Sequence, residues 1–399
     1  MAVVTAGAIR EVLIARTFGI SNDLDFFLIA SAVPLALVSL FGGSWQSAAT
    51  PELTGGVLGL PGRPYLRIVR LIAWPLALVA AGAALIASRQ LAPLLDRAVL
   101  YNTMLIAAVW LGLLAAGRFP LALASGRPSL VVAAPAAVHL SIAAAVLVLG
   151  ARPYALFGGL LVGNLLLYVA VRRYAYPIGD SSAITLSRES VRQVFHNLKP
   201  IAAGAAAMAL ALPVDLFFAA RAEVGGPSVI NYATRVPLAV SVVGGTVIST
   251  VVFADLVANR SIFENLRRRL RAWLRRAAAF ASISAVFVWI FSPTIVNLLF
   301  ASERFAQSEL QSVIEVQRIA ALSIPPFVWG LVLVRCMNAI EFNRPLFWIS
   351  VVNLLVNLAG NWALTPILGL SGILLSTAIM YSCSSLLLWL TWRRSASQK

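Results

Sequence analysis

Of the 399 residues, 60% are apolar and 12% charged, with a mean hydropathy of +0.89, whereas soluble globular chains run near about 45–50% apolar and about 25% charged. A water-soluble enzyme is excluded because its surface could not be covered. So is a small disulfide scaffold, since the two cysteines, Cys336 and Cys383, lie inside apolar runs. What remains is a polytopic α-helical membrane protein with a formal net charge of +16.

In chain order, apolar stretches recur at 2–18, 25–49, 66–87, 102–124, 129–149, 154–171, 198–219, 228–256, 277–298, 312–334, 346–364 and 370–391. Each is near the ~20 residues that cross ~30 Å of hydrocarbon as a helix. Helix is required, because an open sheet in lipid leaves backbone groups unpaired. The first stretch carries Arg10, Glu11 and Arg16 and lacks the basic leader, apolar core and cleavage site of a secretory signal.

Placing both termini inside puts 20 of the 31 Lys/Arg in inner loops and the tail, five in outer connections and six within or at the ends of spans. That asymmetry orients the protein with both termini in the cytoplasm. It assigns the positive charge to topology and to anionic membrane lipids, with no nucleic acid as partner. The run Arg267–Arg276, with Trp273 inside it, reads as an amphipathic interfacial segment leading into the ninth span.

The chain also repeats itself. Val33-Pro34-Leu35-Ala36 followed by Gly42-Gly43 returns as Val236-Pro237-Leu238-Ala239 followed by Gly244-Gly245. Arg118 and Arg127-Pro128 match Arg335 and Arg344-Pro345, and Gly159 with Tyr168 matches Gly372 with Tyr381. Six helices per copy is an even number, so both copies enter from the same side and the repeats are parallel. The expected fold is an all-α polytopic membrane protein of about twelve transmembrane helices in two parallel six-helix repeats, a V-shaped two-lobe transporter. Its N-terminal lobe covers 1–175, a cytoplasmic linker 176–197, and its C-terminal lobe 198–399.

Enzymatic chemistry finds no footing. There is no Walker A loop and no His/Cys cluster with metal-ligand spacing; His139 stands alone in the fifth span and His196 in a loop. Ionisable groups inside spans cost roughly 2.5–3.5 kcal/mol each and so mark functional positions. Arg10 and Glu11 lie midway along the first helix, about 100° apart around it, so Glu11 does not fully neutralise Arg10 from the same face. Asp25 opens the second helix, and Arg235 lies early in the eighth.

One reading makes Arg10 with Asp25, and Arg235 with a neighbour, buried pairs that orient helices. The other sets Arg10 and Arg235 on opposite lobes of one cavity, binding a pyrophosphate with bidentate guanidinium forks, with Asp25 gating the site. Arg16 near a helix end and Arg318 in the tenth span are further candidates for the anion. A second polar set, Asp215, Asn353, Asn357 and Ser376 or Thr377, offers an acid with amide and hydroxyl oxygens. It suits a coupling ion, Na+ or H+, or plain interhelical hydrogen bonding. No organic cofactor is expected.

The string Arg10-Glu11-Val12-Leu13-Ile14-Ala15-Arg16-Thr17-Phe18-Gly19, then Asp25-Phe26-Phe27 and Pro34, resembles the opening of the MurJ/MviN-like lipid flippases. These belong to the multidrug/oligosaccharidyl-lipid/polysaccharide exporter superfamily. Tyr232-Ala233-Thr234-Arg235 and Gln317-Arg318 resemble that family too. The resemblance implies export of a lipid-linked sugar pyrophosphate across the cytoplasmic membrane through an inward-facing cationic cavity, by a monomer. It carries Arg10, Asp25 and Arg235 over to the cavity, and Asp215 with the eleventh-helix polar pair to a cation site.

The second helix departs from the family, reading Val38-Ser39-Leu40-Phe41-Gly42-Gly43 where a double arginine and Phe-Ala-Glu-Gly are usual. Lipid II and other polyprenyl-linked oligosaccharides therefore both stand as substrates. A drug or organic-cation antiporter of the same superfamily is the alternative; it calls for a carboxylate-lined cavity.

Overall fold

The computed structural model describes residues 2–54, 63–90, 95–124, 126–174, 209–259, 263–340, 342 and 344–396, and among these there is helix and no strand. The chain forms two compact units, Met1–Pro213 and Val214–Lys399. The expected linker at 176–197 lies outside the described residues, as does the start of the seventh span. Each of the other expected spans has a helical counterpart, and the seventh is represented by its second half.

The first unit contains α1 (Ala2–Phe18), α2 (Asn22–Thr54), α3 (Arg63–Gln90), α4 (Leu95–Ala116), α5 (Phe119–Ala124), α6 (Pro128–Ala133), α7 (Ala136–Leu149) and α8 (Pro153–Tyr174). Helix α7 packs on α1 and α8, α4 packs on α8, and α2 packs on α3 and α4. Small residues set the closest approach. A Cβ added at Gly159 would lie 2.6 Å from the Cα of Ile142, and one at Gly163 would lie 2.6 Å from the Cα of Val138. Dispersion between touching backbones, not exclusion of water, drives such seams in lipid.

The fourth span breaks at Gly117-Arg118. There the Trp45 indole donates to the Gly117 carbonyl (3.3 Å), and buried Arg118 donates to the Leu114 carbonyl (2.7 Å) while lying 4.9 Å from the Tyr168 ring centre. The guanidinium is thus accommodated in an apolar unit by a carbonyl and an aromatic face.

The second unit is entered through α9 (Ala211–Ala222) and contains α10 (Gly226–Val247), a π-turn at Ile248–Val252, α11 (Phe253–Ala258), α12 (Phe263–Phe300), α13 (Gln307–Ala321), α14 (Ile324–Ala339) and α15 (Arg344–Ala396). Its apolar core joins Leu266, Leu270 and Leu274 of α12 to Val328, Val332, Leu333 and Cys336 of α14, and to Ile248, Val252 and Leu256.

Two features differ from a plain hydropathy reading. The expected eighth span, 228–256, is not one smooth helix. After the Gly244-Gly245 pair, the Ile248 amide reaches both the Gly244 and Gly245 carbonyls, and the chain widens into the π-turn. Adjacent glycines hold a helix weakly, which makes this the place for it to open. The apolar run Pro345–Arg394 is 50 residues long, or about 75 Å, far more than one crossing. It folds back at Gly369, whose φ of 57° and ψ of −137° are closed to residues with a Cβ, and so supplies two spans.

Candidate functional site

The polar groups fall into three sets, one in the first unit and two in the second. In α1, Arg10 and Glu11 form an ion pair, with side chains 19% and 8% exposed. The angular separation of neighbours on a helix predicts only partial neutralisation of Arg10 by Glu11; the long arginine stem closes the gap into a direct pair. Asp25 is buried in the first turn of α2, its amide bonded to the Ser21 carbonyl at 3.0 Å, and Arg16 is exposed in the last turn of α1.

In α10, Arg235 donates to Asn231 Oδ1 one turn back, with Asn231 itself buried. The Thr234 hydroxyl donates to the Ile230 carbonyl at 2.8 Å, leaving the Arg235–Asn231 pair on the adjoining face. Arg318 is turned elsewhere. Its Nε donates to the Trp289 carbonyl of α12 at 3.3 Å, and its guanidinium lies 5.2 Å from the centre of the half-exposed Trp289 ring. Its neighbour Gln317 is fully buried and donates to Ser292 Oγ at 2.9 Å, a bond that clasps α13 to α12.

The third set is the most complete. Asp215 of α9 is 6% exposed, and donors converge on it from both halves of α15. Asn357 Nδ2 and Asn361 Nδ2 donate to Oδ1 at 3.0 and 2.7 Å, and the Thr377 hydroxyl reaches Oδ2 at 3.1 Å. Ser376 Oγ donates to the Asn357 carbonyl at 3.0 Å, tying the outgoing half of α15 to the returning half.

The sequence reading paired Asn353 with Asn357 because four residues separate them. The structure instead gives Asp215 the next member of the row, Asn361, and turns the Asn353 amide to Ser384 Oγ at 2.9 Å. Asn361 was missed although its spacing was on the page: 353, 357 and 361 share one face. Periodicity names the face, but not which rung meets the acid across from it.

The side-chain oxygens of Asn357 and Asn361 are buried and receive no hydrogen bond among the described residues. Buried acceptors without donors are costly in apolar surroundings. A half-turn of either amide presents its oxygen, not its nitrogen, toward the carboxylate. One carboxylate, two amide oxygens and a hydroxyl form an all-oxygen set of the kind hard cations take. The residues therefore fit a small cation.

Membrane-length helices, an internal duplication and buried polar groups within those helices define a multi-pass membrane protein of the transporter class. A family model described as "Lipid II flippase MurJ" matches residues 14–399, and the chain belongs to that family. No curated protein sequence matches it. Among solved structures it is similar to a lipid II flippase MurJ in an inward closed conformation, at 18% identity and a TM-score of 0.79, covering 98% of this chain and 85% of that one. It is also similar to an inward-facing multidrug resistance MATE family transporter, at 15% identity and a TM-score of 0.79, covering 100% and 96%. A MOP superfamily transporter from Pyrococcus furiosus aligns at 14% identity and a TM-score of 0.68, covering 99% and 95%. At such identities the likeness to solved structures establishes the fold: the two-lobe, twelve-helix architecture that MurJ and MATE transporters share.

Proposed function

We propose that this chain, as a monomer in the cytoplasmic membrane with both termini inside, moves a polyprenyl-pyrophosphate-linked saccharide, lipid II or a related lipid-linked oligosaccharide, from the inner to the outer leaflet by alternating access. The observation that carries the reading is the family match over residues 14–399, in a chain holding partly buried arginines inside membrane helices. Arg10 and Arg235 bind the pyrophosphate. A guanidinium keeps its charge at any accessible pH, and its planar fork matches two phosphate oxygens at once. Glu11 and Asn231 hold the two forks in place, and Asp25 takes up an arginine when substrate is absent. The greasy tail stays in the bilayer, so only the head group needs polar contacts.

Asp215, Asn357, Asn361 and Thr377 hold the coupling cation, Na+ or H+. A cation bound there supplies neutralisation of a carboxylate buried among membrane helices.

The test is flipping by purified protein in liposomes. Arg235→Ala, and Arg10→Ala combined with Glu11→Gln so that no buried carboxylate loses its partner, should each lower the rate at least ~10-fold, the loss of about 1.4 kcal/mol or more of binding, while yield and thermal stability stay near wild type. Arg235→Lys should recover part of it, since charge returns without the fork. Normal flipping by both alanine variants ends the proposal. The MATE likeness supports a second reading, organic-cation efflux; ethidium extrusion by cells expressing the chain, with no lipid movement, would favour it.

A further inference from the structure

The longest unbroken apolar helix is more than a membrane crossing. The span-length stretch Glu264–Phe300 has 37 residues, or about 55 Å of helix against ~30 Å of hydrocarbon. Its N-terminal turns therefore stand outside the bilayer core, and they hold Arg267, Arg268, Arg269, Arg271, Arg275 and Arg276, all exposed.

These arginines divide into two groups. On one side, Arg269 faces Asp255 of α11 at 3.9 Å, the Trp273 indole donates to the same carboxylate at 2.7 Å, and Arg276 lies 4.9 Å from the Trp273 ring centre. This side fastens α12 to the unit, helped by the buried Leu266, Leu270 and Leu274. On the other side, Arg267, Arg271 and Arg275 repeat every four residues, with Arg268 beside them. Among the described residues, Arg267, Arg271 and Arg275 have no ion pair or hydrogen bond with the rest of the protein. Like charges four apart on a helix destabilise it, so an unbalanced row of this kind asks for an external anion.

The face then changes character without leaving its side of the helix. At about 100° per residue, half-buried Ala278, exposed Val286 (57% exposed) and Trp289 (49% exposed) fall within the angular range of Arg267, Arg271, Arg275 and Arg268, with Ser282 between them. By helix rise, Arg275, Arg271 and Arg267 stand about 3, 9 and 15 Å above Ala277, a range their stems shorten by bending toward the headgroup layer. A charged face passing into a mostly apolar one on the same side of the helix matches an amphiphile.

We propose that Arg267, Arg271 and Arg275, flanked by Arg268, form a binding surface for the anionic phosphate headgroups of membrane lipids, whose acyl chains lie along Ala278, Val286 and Trp289. A soluble acidic partner would leave the apolar half of the face unused. The inference requires only that α12 crosses a bilayer and is independent of which substrate is flipped.

Native mass spectrometry of the purified full chain, titrated with dioleoylphosphatidylglycerol, dioleoylphosphatidylcholine or inorganic phosphate, tests it. The anionic lipid should be retained at least ~10-fold over the zwitterionic one, given about fivefold per arginine near an anionic surface. The combined Arg267→Gln, Arg271→Gln and Arg275→Gln variant should bring the two lipids within about twofold of each other. Arg269→Gln, on the fastened side, should keep the preference. Should the triple variant fail to fold, Arg271→Gln alone, and wild type between ~0.05 and ~0.5 M NaCl, should each weaken it. Undiminished preference in the arginine variants overturns the proposal. So does displacement of the lipid by millimolar phosphate, or capture of a polyglutamate peptide in place of the lipid.

Discussion

The two units close the same duplicated seam in opposite ways. In the first, α7 and α8 are joined by a turn at Gly150 (φ 70°), and their contact at Gly159 and Gly163 is backbone against backbone, with Ile142, Val138, Ser141 and Ala145 around it. In the second, the two halves of α15 join at Gly369 (φ 57°), and Gly372, the repeat of Gly159, packs against the Leu364 carbonyl. One turn away, however, the seam opens to Ser376, Thr377, Asn357 and Asn361 around Asp215. A duplicated frame has kept its turn and its close approach in both copies while one copy exchanged apolar contact for polar side chains around a buried carboxylate. The first seam is closed by backbone against backbone, and the second by hydrogen bonds to a buried acid.

The sharpest way to break that comparison is to fill the first seam. Gly159→Leu forces a side chain onto the Ile142 backbone, where nothing flexible can yield, and should cost about 3 kcal/mol. Ser376→Ala in the second seam removes one hydrogen bond between helices and should cost only about 0.6 kcal/mol. Thermal unfolding of both variants in one detergent reads the difference. Equal losses would mean that the two seams do not differ in kind.

The second test asks whether the nest around Asp215 is a site. If Na+ binds there, salt should raise the melting temperature by the linkage relation, about 2.7 kcal/mol at a hundred times the dissociation constant. Asn361→Leu should lose most of that gain relative to matched choline chloride. Asn353→Leu should keep it, because its amide serves Ser384 and not the acid. Loss in both variants would restore the pairing suggested by spacing alone.

That pairing shows where sequence reasoning stops. Span number and approximate limits were legible because lipid demands apolar length, and the duplication followed from matched Pro, Gly and Arg positions. Asp215, Asn357 and Thr377 were legible because polar groups are rare in such helices. Asn361 was missed in favour of Asn353, since which rung meets a carboxylate depends on the register between helices, and the Gly369 turn sets that register. The directness of the Arg10–Glu11 pair was not legible because Cβ directions are fixed by the helix while a guanidinium reaches well beyond them. The π-turn after Gly244-Gly245 was hidden because hydropathy is blind to a widened helix, and the same dipeptide at Gly42-Gly43 runs on as ordinary α-helix to Thr54.

The finest test uses the two turns themselves. Gly150 and Gly369 both combine a positive φ with a ψ near the extended limit (−158° and −137°), a region open in practice only to glycine. Alanine at either should strain the backbone by about 2 kcal/mol, so stability alone does not tell the two apart. The cation does. Gly369 sets how the returning half of α15 lies against the outgoing half, and that brings Thr377 to the same carboxylate as Asn357 and Asn361. Gly369→Ala should therefore shrink the sodium-dependent rise in melting temperature as well as the melting temperature itself. Gly150→Ala should lower the melting temperature by a similar amount and leave the sodium increment intact. An undiminished increment in the Gly369 variant would show that the oxygens around Asp215 are placed by α9 and not by the turn.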